Sequence, residues 1–274
     1  MFDTNTETLK AKAENGILTI ILNRPKSKNA LTNDMLASMA DILDKAQRES
    51  SIRCIVLTGA GQSFCSGGDV KAFAAANNQD EGKVDKNFHE RVNDQRISQQ
   101  SVVGRLYHMP KPTIAFISGA AAGAGLSIAL ACDLRIMSEQ AILTTAFAKV
   151  GLSGDYGGTF LISQLIGRAK ACELYFLSDR IGAGKALELG LVNWIGPDNL
   201  AREKLNQVVS ELAEGPSVAY QYMKENLNRA YAGGDLEDCM DLEASHHLSC
   251  FNTNDHKVAA EAFVQKKKPQ FRGY

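Results

Sequence analysis

From position 112 to position 132 the chain carries no charged side chain, and the run is closed by Asp133. A stretch of that length without charge has to leave water, and by length it would suit a membrane-spanning helix. Its composition does not. It opens with Pro112, contains Ser118 and Ser127, and is otherwise built largely of Gly and Ala, so its transfer into lipid would gain little. The alternative is the inside of a folded domain. Thr113, Ile114, Ala115, Phe116 and Ile117 read as a buried strand that stops at Gly119, and a helix is expected over 126–132. With 45% hydrophobic and 22% charged residues, the 274-residue chain has the means to bury a core.

Similar units precede this run. Residues 16–23, GILTIILN, read as a strand that ends at Arg24-Pro25, where proline stops pairing. Met35, Leu36, Met39, Ile42, Leu43 and Ala46 recur at helical spacing behind Thr32 or Asn33 as N-cap, which predicts a helix to about Glu49. A strand over 54–58 then stops at Gly59-Ala60-Gly61. Residues 71–105 are polar and poor in strand formers; Asn77 and its neighbours to Gly82 read as a mobile loop of the kind that covers a site. Gly196-Pro197 marks a change to charged and apolar alternation. This places an α/β body at 1–197 and a helical region at 198–274, split by Gly215-Pro216 and Gly233-Gly234 into three helical pieces.

Three segments carry possible chemistry. Phe64-Cys65-Ser66-Gly67-Gly68-Asp69 and Ser118-Gly119-Ala120-Ala121-Ala122-Gly123-Ala124-Gly125-Leu126 each follow a strand with small residues, so backbone N–H groups can approach a ligand. Together the two turns could form an oxyanion hole; either turn taken alone reads as one that merely closes a strand–helix connection. A dinucleotide fingerprint on Gly123 and Gly125 fails because Ile128 stands where a small residue is needed. No phosphate-loop or G-x-S-x-G pattern is present. The third segment, Gly151-Leu152-Ser153-Gly154-Asp155-Tyr156-Gly157-Gly158-Thr159, sets one carboxylate in a glycine-dominated turn, as a group facing a cleft or as a helix cap.

Other chemistries are disfavoured. Histidines 89, 108, 246, 247 and 256 form no H-E-x-x-H, and the cysteines at 54, 65, 132, 172, 239 and 250 show no metal-site spacing, so no metal is expected. Those thiols read as free, in a reducing, cytoplasmic setting; the acidic N-terminal segment lacks the pattern of a secretory signal. With 30 Lys plus Arg against 31 Asp plus Glu, the net charge of -1 argues against nucleic acid as a partner.

In order along the chain, Asn23-Arg24-Pro25, Asn29-Ala30-Leu31, the turn at 64–69, the run from Pro112 through Asp133-Leu134, and Ala262-Phe263 on to Pro269-Gln270-Phe271 resemble the crotonase, or enoyl-CoA hydratase/isomerase, superfamily. The resemblance implies an α/β crotonase (ClpP-like) spiral of ββα units with a C-terminal helical trimerisation region, assembled as a homotrimer or dimer of trimers. It implies an acyl-CoA thioester as substrate, coenzyme A entering only as part of that substrate, no tightly bound cofactor and no membrane. The thioester oxygen would be held by the N–H groups of Gly68 and Ala124. Arg24 and Lys26 would lie near the nucleotide phosphates, and Ala30 and Ser66 near adenine and pantetheine. Gly67, Asp69, Val70 and Gly123 would line the substrate, with Phe263 and Lys266 reaching the nucleotide end, from a neighbouring subunit in the trimer.

Departures from the family pattern indicate a subclass. Ser127 and Phe147 stand where the resemblance puts the two glutamates of a hydratase, and Asp155 stands where the phenylacetate-pathway epoxide/oxepin isomerase group and a chlorobenzoyl-CoA dehalogenase carry an aspartate. Gln100 replaces the histidine of the latter. The implied reaction is double-bond isomerisation with Asp155 as sole base; hydration through the same residue, and a non-catalytic acyl-CoA-binding or RNA-associated role, are the alternatives. An aspartate is a weak base in water, so a dry wall is expected around it, from Val150, Leu152 and the apolar ends of 71–105.

Overall fold

The computed structural model describes residues 2–70 and 87–274. Strands β1 (Leu9–Glu14) and β2 (Ile17–Leu22) form an antiparallel hairpin. Its turn is Asn15-Gly16, both at positive φ (51° and 78°), the handedness that matches the twist of paired strands. Beside β2 lie, in parallel, β3 (Cys54–Gly59), β5 (Thr113–Ile117), β7 (Leu134–Ser138) and β10 (Trp194–Gly196), giving the order β1-β2-β3-β5-β7-β10. A smaller sheet collects β4 (Ser63–Cys65), β6 (Ala120–Ala122), β8 (Ile142–Thr144) and β9 (Ile181–Gly182) in the order β4-β6-β8-β9. From β3 to β8 the chain gives strands alternately to the large and the small sheet, with helices between the pairs. This is the spiral of ββα units that the resemblance implies.

Helix α1 (Asn33–Arg48) begins where expected: the Thr32 hydroxyl accepts from the Met35 N–H at 3.4 Å, and Met35, Met39, Ile42, Leu43 and Ala46 face the core. The polar segment read as a loop needs correction. Asn77 to Gly82 lie outside the described residues, but Asn87 caps a helix α2 (Phe88–Gln99) through a reciprocal box with Glu90. The helix runs on through a π-helical turn at Gln100–Gly104 into α3 (Arg105–His108). No residue of α2 is buried, so the helix has no apolar stripe by which periodicity could find it.

The charge-free run is the middle of the molecule. Every residue of β5 is buried, as is every residue of α4 (Ala124–Leu130), which starts two positions before the expected helix. Helices α5 (Gly158–Leu177) and α6 (Ala183–Glu188) complete the body. Beyond Gly196-Pro197, α7 (Asp198–Glu214) lies on the large sheet, where Ala201, Val208 and Val209 pack with Cys54, Val56, Ile114, Phe116 and Ile136. The tail holds one more helix than the three pieces expected: α8 (Ser217–Tyr231), α9 (Leu236–Phe251) and α10 (Asn254–Val264) follow α7, because Thr253 caps a new helix through the His256 N–H. No helix among the described residues is long and apolar enough to cross a membrane.

The end of the chain is held by a buried carboxylate. Asp255, 2% exposed, accepts from the backbone N–H of Arg272 at 2.7 Å and of Gly273 at 2.8 Å. Arg53 donates to the Phe271 carbonyl at 3.1 Å. Asp255→Ala removes the acceptor of two N–H groups and is expected to lower stability by about 2–3 kcal/mol in urea unfolding. A change below about 0.5 kcal/mol would show that the tail is not anchored there.

Candidate active site

Because β4 and β6 pair in parallel, the turns that follow them leave the small sheet side by side. A Cβ on Gly67 would stand 2.9 Å from the Ala122 carbonyl oxygen and 3.5 Å from the Ala124 nitrogen. Gly67 (φ 89°) also needs positive φ, so glycine is required there twice over, and Gly123 (φ 52°) needs it for its backbone conformation alone. The Leu31 N–H donates to the Gly67 carbonyl at 2.8 Å and pins the first turn from the other side. The Gly123 N–H is taken by the Thr144 carbonyl at 3.1 Å. Among the described residues, no acceptor takes the N–H of Gly68 or of Ala124. The geometry therefore brings together two neighbouring unused donors, the arrangement that stabilises an oxygen on which negative charge develops.

Asp155 is tied to the same helix. The Ser127 hydroxyl, within the first turn after Ala124, donates to the Asp155 carbonyl at 2.9 Å, and the Gly158 N–H does so at 3.1 Å. The side chain faces α2. Gln95 Nε2 lies 2.9 Å from Oδ1 and 2.8 Å from Oδ2, Gln99 Nε2 lies 2.6 Å from Oδ1, and the Tyr156 N–H donates to Oδ1 at 2.7 Å. The dry wall expected from Val150 and Leu152 is not there: they are 51% and 54% exposed, and amides surround the carboxylate instead.

Two phenols complete the surroundings. Tyr175 stacks on Phe147 with ring centroids 5.9 Å apart, and the edge of Phe147 reaches Gly123. Burial first, and the Asp155 charge second, push the Tyr175 hydroxyl up to about 12; burial likewise raises Tyr156, whose hydroxyl bonds Ser98 at 2.7 Å. Both stay protonated beside the carboxylate across the neutral range. Burial lifts the Cys65 and Cys132 thiols to about 12, so both stay protonated across the neutral range.

The residues expected to meet coenzyme A divide into two groups. Arg24 Nη1 donates to the Ala30 carbonyl at 2.8 Å and pairs with Asp69 at 3.0 Å, so three of them are in contact. The wholly buried Asn29 organises them: it accepts from the Arg24 N–H at 2.9 Å and donates to the carbonyls of Ala60 and Ser63 at 2.9 and 2.8 Å. Ser66 reaches the Ser27 carbonyl at 3.5 Å, and Lys26 and Val70 are exposed at the same rim. Phe263, 86% exposed, and Lys266 lie at the end of α10, and no contact among the described residues links them to this group. Gln95 and Gln99 went unread in the sequence, where two glutamines four apart look like any exposed helix face; only the fold opposes them to Asp155.

The family described as enoyl-CoA hydratase/isomerase matches residues 12–274. The chain is 32% identical to 1,2-epoxyphenylacetyl-CoA isomerase of Escherichia coli K12 over 97% of its length and 99% of that protein. It is 30% identical to short-chain-enoyl-CoA hydratase of Clostridium acetobutylicum, over 93% of its length and 94% of that protein. A crystal structure of an enoyl-CoA hydratase from Polaromonas sp. JS666 superposes with a TM-score of 0.85 at 30% identity, covering 96% of this chain and 99% of that one.

Proposed function

The chain belongs to the enoyl-CoA hydratase/isomerase family, and on that premise we propose that it isomerises an enoyl-CoA, or a ring-derived acyl-CoA of the kind named for its Escherichia coli relative, with Asp155 as the single base. The observation that carries this is that Asp155 sits on a turn whose carbonyl is hydrogen-bonded by Ser127, in the helix that Ala124 opens next to the Gly67–Gly68 turn, with Ser127 and Phe147 where the family pattern would place glutamates. Asp155 takes a proton from the carbon next to the thioester carbonyl, or from the next position along a conjugated chain. The electron pair of that C–H bond moves onto the thioester oxygen. Gly68 and Ala124 hold the resulting enolate, each donor contributing roughly 3–4 kcal/mol because the charge exists only as the reaction proceeds. Asp155 then returns the proton two carbons away, and the product has the mass of the substrate.

The Arg24, Ala30, Asp69 group and the rim residues Lys26, Ser66 and Val70 are proposed to seat the nucleotide and pantetheine, with Phe263 and Lys266 supplied by a neighbouring subunit. The exposed Leu236, Met240, Leu248, Phe251 and Val264 of α9 and α10 support a trimer built on the 198–274 region, and unpaired cysteines support a cytoplasmic setting. The test is mass spectrometry after incubation with 2-enoyl, 3-enoyl and aromatic-derived acyl-CoAs. Unchanged mass with altered retention is the expected result. A product heavier by one water would replace isomerisation with hydration, and binding of acyl-CoA without any product would indicate a non-catalytic role.

A further inference from the structure

We propose that Gln95 and Gln99 are positioning residues that hold Asp155 so that Oδ1 is the anchored oxygen and Oδ2 the one that carries the proton. The inference rests on Asp155 being the base and adds which atom acts and what aims it. Among the described residues, Oδ1 receives three donors, Tyr156 N–H, Gln99 Nε2 and Gln95 Nε2, whereas Oδ2 receives only Gln95 Nε2. A carboxylate oxygen offers about two lone-pair directions, so Oδ1 is saturated and Oδ2 keeps one open. Protonation at Oδ2 leaves all three bonds to Oδ1 in place; protonation at Oδ1 would break at least one of them. In the forward step the substrate C–H bond breaks and an O–H bond forms on Oδ2, and the second step reverses this at the other carbon.

The clamp is neutral, which suits the task. A lysine or arginine in its place would pair with the carboxylate and oppose its taking up a proton. The two glutamines are four residues apart, on one face of α2, so a single helix delivers both amides. With no buried residue, α2 meets the Asp155 turn through polar contacts, the third being Ser98 Oγ to Tyr156 Oη at 2.7 Å. Changes on this face therefore alter the aim of Asp155 without opening the core.

The experiment measures steady-state kinetics on trans-3-hexenoyl-CoA, or whichever 3-enoyl-CoA the wild type turns over fastest, for Gln99→Met, Gln95→Met, the double variant, Gln99→Ala and Asp155→Asn, alongside thermal unfolding. Methionine keeps the length of glutamine and removes the donor. For Gln99→Met and Gln99→Ala, kcat should fall about tenfold or more with KM within about threefold and an unchanged thermal midpoint, the pattern of an interaction that matters in the transition state. Gln95→Met should lose less, and the double variant more than either. A double variant with wild-type kcat, in a protein that Asp155→Asn inactivates, overturns the clamp and leaves the base in place. So does a loss of kcat that comes only with a matching loss of thermal stability. Turnover retained by Asp155→Asn removes both together.

Discussion

Asp155→Asn is expected to lower turnover by about 10²- to 10⁴-fold, the range that a positioned acid or base contributes, while the protein folds as before. Asparagine has the same shape, and the turn that carries it is held by its backbone, through the Ser127 hydroxyl and the Gly158 N–H. The asparagine oxygen can still accept from Tyr156 and Gln99. What is lost is the lone pair able to take a proton; the donors on Gly68 and Ala124 remain and leave some residual catalysis. The measurement is kcat on the fastest enoyl-CoA, paired with a thermal melt. Turnover within about threefold of wild type would remove Asp155 from the chemistry.

Gly125→Ala is expected to be nearly as damaging by a different route. Its new Cβ would stand 2.6 Å from both Cβ and Sγ of Cys65 and 2.7 Å from the Cys65 carbonyl oxygen, separations that no side-chain rotation relieves. Forcing atoms into a packed site costs about 1–3 kcal/mol, and relief here requires α4 to lift away from β4. That motion separates the Ala124 N–H from the Gly68 N–H. Loss of one such donor costs about 10²–10³ in rate, so kcat should fall by that order even in the fraction that stays folded. Gly184→Ala is the control: it lies in α6, meets nothing within 4 Å, and should be neutral or slightly stabilising. Equal activity of the two variants would show that the junction of the turns is not set by this contact.

Legibility differed between the parts of the molecule, for physical reasons. Strands β2, β3 and β5 were readable as short apolar runs that proline or glycine cuts off, and helix α1 because burial of one face leaves a period in the side chains, with Thr32 capping where a cap was expected. The two turns were readable because close backbone approach excludes a side chain at Gly67 and Gly125, and positive φ favours glycine at Gly67 and Gly123. Helix α2 was not. Its outer face is solvated and its inner face meets the site through Gln95, Ser98 and Gln99, so nothing apolar betrays it. The polar surroundings of Asp155 were missed with it, and Val150 and Leu152 were assigned a wall that they do not build. The break at Thr253 was hidden because a threonine cap inside a helical run carries no glycine or proline.

The alternation of strands between two sheets has a consequence for how such a site can change. The donors on Gly68 and Ala124 are main-chain groups whose spacing follows from the register of β4 against β6, and no substitution other than proline deletes them. The proposed proton-handling group is one side chain on a separate turn, hydrogen-bonded by a helix outside the core. A lineage built on this plan can therefore hold the activation of its thioester constant while it relocates the carboxylate from one loop to another, altering which carbon reacts without re-inventing the scaffold.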